Sequence, residues 1–111
     1  MYKDELIYTD FYMAHFELEN TAKDVMYYDV WLTSDMETLL PEEGRYKGRE
    51  VLGGNSYKTI QVPIVNIKPD NLEKFYVCMQ EKAENGTLAI VGRTCAKLRL
   101  YWPLAELRKL P

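Results

Sequence analysis

The chain has 111 residues, a net charge of −3, and 47% hydrophobic against 28% charged residues. This is the size and composition of one folded domain, and it excludes a disordered or low-complexity segment. No apolar run approaches the ~20 residues that span a bilayer, and the opening Met1-Tyr2-Lys3-Asp4-Glu5 lacks the shape of a signal peptide; the expectation is a single soluble, cytoplasmic domain over residues 1–111 with no membrane segment.

Residues 6–18 fit two templates. As a strand, Leu6, Tyr8, Tyr12, Ala14, Phe16 and Leu18 share a face; as a helix, Ile7, Phe11, Ala14 and Leu18 form a stripe. Aromatic density favours the strand, which would pair with 25–33 across a loop at 20–24. Residues 25–33 alternate and are aromatic, so they predict a strand with Tyr27 and Tyr28 on opposite faces. Ser34 or Asp35 can cap a short helix near 35–40, stopped by Pro41. Residues 46–52 and 57–67 flank a turn at Gly53-Gly54-Asn55. The β-branched run from Thr59 to Val65 predicts a strand, and Pro63 places it at an edge or a bulge because proline cannot donate to a ladder. Lys68-Pro69-Asp70-Asn71 reads as a turn.

Asn85-Gly86 suits a tight hairpin turn, since both residues tolerate positive φ. It predicts a hairpin of 74–83 and 87–101, with Arg93 opposite Cys78 and Cys95 opposite Tyr76. Residues 103–110 read as a short helix opened by proline. The fold class is therefore mainly β, with α+β as the alternative: a small antiparallel sheet, barrel or sandwich of about six strands with short helices near 35–40 and 103–110. Phe16, Trp31, Phe75 and Trp102 are expected in the core, and Tyr46, Tyr57 and Tyr101 at the surface.

Charge is unevenly spread. Residues 1–44 hold two cations against eleven acids, and residues 45–111 hold twelve cations against six. Cys78, Cys95 and the single His15 supply too few ligands for a structural zinc site, so no metal is expected. In a reducing compartment the cysteines read as buried or half-buried thiols, with a disulfide left open. No paired acid and base, nucleophile with its base, or phosphate-cradling glycine motif is present, so neither an enzyme nor a cofactor is expected.

Two basic clusters stand out. In a strand, Arg93, Cys95, Lys97, Arg99 and Tyr101 share one face while Thr94, Ala96, Leu98, Leu100 and Trp102 share the other. Cations interleaved with a ring suit a phosphate backbone whose bases stack on the ring. The second cluster is Arg45, Tyr46, Lys47 and Arg49, flanked by Gly44 and Gly48. The alternative for both is a solvated face whose cations pair with acids on a neighbouring strand.

The run Asn85-Gly86-Thr87-Leu88-Ala89-Ile90-Val91-Gly92-Arg93-Thr94, followed by Leu98-Arg99-Leu100-Tyr101-Trp102, resembles single-stranded-DNA-binding proteins of the OB-fold type. In that family a glycine turn leads to a valine-rich strand, then Gly-Arg, then a basic and aromatic strand. The resemblance covers residues 85–102 and implies binding of single strands. It departs from the family where a strand at 74–83 replaces the usual helix, and at Leu107-Arg108-Lys109-Leu110-Pro111, which is not an acidic tail.

The sequence thus favours a nucleic-acid-binding accessory acting through Arg45, Tyr46, Lys47, Arg49, Arg93, Lys97, Arg99 and Tyr101. The alternative is a protein-binding inhibitor or regulator of phage or mobile-element type, acting through its acidic, tyrosine-rich part. A homo-oligomer paired through sheet edges is a third possibility. Pairing of the 93–101 cations with acids would count against the first reading.

Overall fold

The computed structural model describes residues 2–82 and 93–109. Seven strands and one helical turn follow in order: β1 (Tyr2–Leu6), β2 (Tyr12–Asn20), β3 (Met26–Thr33), β4 (Lys47–Leu52), β5 (Ser56–Ile64), β6 (Leu72–Lys82), β7 (Thr94–Tyr101) and α1 (Leu104–Leu107). They make two sheets, one of five strands in the order β1-β7-β6-β3-β4 and one of two, β2-β5. Every pairing is antiparallel except β1 with β7, which is parallel. No helix among the described residues is long and apolar enough to cross a membrane.

Alternation along each strand builds the core. In β2 the buried residues are Ala14, Phe16 and Leu18, and the exposed ones are His15, Glu17 and Glu19. Their β5 partners across the ladder are Val62, Ile60 and Lys58. From the larger sheet, Val30, Leu32, Phe75, Val77, Leu98 and Leu100 face this layer and complete one apolar cluster with it. The sheets therefore stack as an open sandwich, each hiding its apolar face against the other. A smaller cluster of Leu18, Tyr28 and Leu52 fills one end.

The chain changes sheet twice, between β2 and β3 and between β4 and β5, and one side chain ties both crossings together. The Asn20 amide, 2% exposed, donates to the carbonyls of Asp24 at 2.9 Å, Leu52 at 3.2 Å and Gly53 at 3.0 Å. Its Oδ1 accepts from Ala22 N at 3.0 Å. Asn55 N donates to the Ala22 carbonyl, adding a backbone bond between the same loops. Asn55 sits at φ 54°, a conformation asparagine tolerates. At Gly54 the loops are so close that a Cβ would collide with the Lys23 carbonyl, so only glycine fits.

Several expectations change. The 6–18 segment is extended, but it divides into the end of β1 and most of β2, and β2 pairs with β5 rather than with 25–33. The 20–24 loop carries the chain between layers, so its two flanking strands stack instead of sharing hydrogen bonds. Residues 36–38 form a single turn, not a helix. Asp35 Oδ1 caps it by accepting from Glu37 N and Thr38 N, and Leu39 at φ 55° ends it. The 103–110 helix shrinks to α1, whose Ala105 N donates to Asp70 Oδ1 at 2.9 Å. Pro63 lies in β5, which has β2 on one side and no described strand on the other, the edge position that proline requires.

The hairpin partners β6 and β7 are as expected, while the turn at Asn85-Gly86 lies outside the described residues. Their register is displaced by two positions from the one a two-residue turn there would impose: Cys78 is opposite Cys95, and Val77 opposite Ala96. A slip of two preserves which residues face inward. It also brings the cysteines together, and they form a disulfide with Cα atoms 4.0 Å apart. The thiol reading took a reducing compartment as its premise and used the displaced register; both fail here.

Replacing Asn20 with leucine leaves three carbonyls of the crossings without their donor. Urea denaturation should show a loss of at least about 2 kcal/mol; a change below about 0.5 kcal/mol, the size of an ordinary surface effect, would refute this role.

Candidate binding cleft and strand edge

The outer face of the five-stranded sheet gathers most of the basic residues. Ladder partners place Arg99 beside Lys74, Lys97 beside Tyr76, and Tyr101 beside Leu72. On the far side of the same face, Asp29 is beside Arg49 and Trp31 beside Lys47. Carboxylates offset part of this charge. Arg99 meets Asp4 of β1 through two bonds, Nε to Oδ1 at 2.6 Å and Nη2 to Oδ2 at 2.9 Å. Arg49 Nε reaches Asp29 Oδ1 at 3.3 Å.

The 45–49 cluster does not share one surface. Lys47 and Arg49 face out, whereas Arg45 and Tyr46 turn toward the sandwich interior. Arg45 pairs with Glu42 at 3.1 Å and lies 5.0 Å from the centre of the Phe75 ring. Tyr46 is half-buried against the core, its hydroxyl over Gly48, and burial raises its pKa above the usual tyrosine value. Of the three expected surface rings only Tyr57 is well exposed, at 72%; Tyr46 and Tyr101 are half-buried.

The loop from Ser34 to Arg45 reaches across part of the outer face. The Leu39 carbonyl accepts from Trp31 Nε1 at 3.0 Å and from Arg93 Nη1 at 3.3 Å. This is why Trp31 and Cys78 are buried although their strands point them outward. Within the loop, Glu42 accepts from the Ser34 hydroxyl at 2.8 Å and from Arg45. Chiefly the Ser34 bond, and then Arg45, holds its carboxyl below the ordinary glutamate range.

The sequence reading missed a cleft at the open side of the sandwich. Lys3 of β1 closes one part of that side: its Nζ donates to the His15 carbonyl of β2 at 2.7 Å and sits 4.9 Å from the centre of the Phe16 ring. β1 reaches along β7 only as far as Lys97, whose partner is Tyr2. Beyond that point a cleft of about 100 Å³ opens between β2 and β7. Its walls include Phe16, Leu18, Ile60, Val77, Met79 and Ala96, with Glu17 and Thr94 as polar members. An apolar cavity of about 150 Å³ can hold benzene, so this one has room for a single aliphatic side chain.

The backbone beside the cleft has a defined direction. Cys78 and Cys95 are a closely spaced antiparallel pair, the kind whose N–H and C=O groups point away from each other's strand. The same parity recurs at Tyr101, whose carbonyl turns from β6 to accept from Ile7 N at 2.9 Å. At Cys95 the corresponding N–H and C=O face a flank where no described strand lies. No short motif announces this site. It arises because β1 ends before β7 does, and because two crossings bring β2 opposite β7.

The chain matches no protein-family model and no curated protein.

Two outcomes follow from this geometry. The disulfide closes a sequence separation of 17 residues, so replacing both cysteines with alanine should lower unfolding stability by about 3 kcal/mol; equal denaturation midpoints for the variant and the oxidised protein would refute it. Because the Glu42 carboxyl is depressed in the folded state, its contribution is present above the ordinary value of 4.5 and is lost as pH falls through the folded value. Titration by NMR should show Glu42 below that value and Ser34→Ala raising it; an unchanged Glu42 titration in the variant would refute the assignment.

Proposed function

We propose that this domain is a non-enzymatic protein-binding module that takes an extended segment of a partner as an added strand beside β7. The observation that carries the reading is the coincidence of a bare strand flank at Cys95 with an apolar cleft directly beneath it. An extended segment there would gain main-chain hydrogen bonds from the flank and bury alternate side chains in the cleft, the two components of recognition by strand addition. An uncovered sheet edge is a liability for a protein unless it is used.

The nucleic-acid reading draws less support from the same geometry. Arg45, Arg49 and Arg99 are each engaged by a carboxylate, and the 45–49 cluster is divided between two faces. Lys47, Lys74, Lys97 and Arg93 still lie near Tyr76 and Tyr101, so a labelled oligonucleotide belongs in the test.

The probe is a neutral synthetic decapeptide of alternating valine and threonine. It should bind the full chain, slow amide exchange at Cys95, and lose at least about tenfold in affinity with Ala96→Asp, which puts a charge into the apolar cleft. Thermal melting of the variant separates this loss from unfolding. Binding of the oligonucleotide but not the peptide, with salt-sensitive affinity, would overturn the proposal in favour of the nucleic-acid reading.

A further inference from the structure

The cleft and its flank also constrain the charge of the segment. We infer that the partner segment alternates aliphatic with acidic residues, an inference that rests on the strand-addition reading above. A residue placed opposite Cys95 on an added strand points to the outer face of the sheet, because directly opposed residues share a face. Its neighbours on either side along the segment point into the cleft, whose walls are mainly apolar. The outward residue is bracketed along β7 by Arg93 and Lys97, two positions before and two after Cys95.

Diagonal neighbours of this kind lie about 7–8 Å apart, within reach of long side chains. Arg93 is exposed, and it is on the outer face because it bonds the same Leu39 carbonyl as Trp31. That bond uses one of the five guanidinium N–H donors, so the fork can still meet a carboxylate. Lys97 carries the same sign two residues further on. Arg99, next in the row, is already engaged bidentately by Asp4. The nearest carboxylate on the opposite wall is Glu17, whose row with His15 and Glu19 lies on the outer side of the β2–β5 sheet. A glutamate or aspartate opposite Cys95 therefore meets two cations of β7 on its own face, and a lysine there meets like charge.

The experiment compares three fluorescein-labelled decapeptides on the full chain by anisotropy at low salt: valine alternating with glutamate, with threonine, or with lysine. The glutamate peptide should bind roughly three- to tenfold tighter than the threonine peptide, and the lysine peptide more weakly than either. Arg93→Glu should reverse the order of the glutamate and lysine peptides. A misfolded variant would lose all three, so reversal reads the charge and not the fold. Equal affinities for the three peptides, or an order unchanged in Arg93→Glu, would overturn the acidic preference and leave strand addition standing. Failure of every peptide to bind would overturn both.

Discussion

The Asn20 amide holds the rest of the architecture in place. An antiparallel hairpin keeps consecutive strands in one sheet, but here both crossings send the chain into the opposite layer, and each would otherwise expose backbone carbonyls at a corner. One buried side chain supplies donors to both corners at once. A buried polar group with every partner in place costs little and specifies much. With the corners locked, β2 and β5 lie over β3, β6 and β7, and the apolar faces of the two sheets meet. The same lock fixes how far β2 stands from β7, and so the width of the cleft.

The acidic and basic halves of the sequence meet in space. Asp4 of β1 reaches Arg99 of β7, and Asp29 of β3 reaches Arg49 of β4. Exposed pairs of this kind contribute little to stability individually. Their effect here is on the surface: they turn a run of cations into a face with local, unequal charge, strongest where β1 and its carboxylate have ended. The basic character that looked suited to a phosphate backbone is thereby concentrated beside the bare flank.

Local pattern revealed much of the fold. Alternation in 12–18, 26–33 and 94–101 identified strands and their inward faces, and Pro63 correctly implied an edge. Partner choice was less visible. The segment 20–24 has the composition of a hairpin loop, and nothing local distinguishes a turn within a sheet from a crossing between sheets. The parallel docking of β1 on β7 joins residues at opposite ends of the chain, which no local rule reaches. The disulfide was hidden by a register displaced by two, an error that leaves every face correct and so gives no warning. The division of the 45–49 cluster was in principle legible, because strict alternation sends Tyr46 and Lys47 to opposite sides; treating the segment as a loop concealed it. The cleft had no sequence signal, since it is the space left where β1 stops.

The parallel pairing of β1 with β7 also bears on the order of assembly. The Asp4–Arg99 contact spans 95 residues, whereas β6 and β7 are joined by a single short connection. Closing so long a loop costs chain entropy that few contacts return until the sandwich is otherwise formed. β1 is therefore the last strand to gain from docking. Until it does, the whole length of β7 is an open edge, and an incoming segment and the protein's own β1 compete for one flank. The five residues of β1 set where that competition ends, making the length of a single short strand the measure of how much edge the finished domain keeps open.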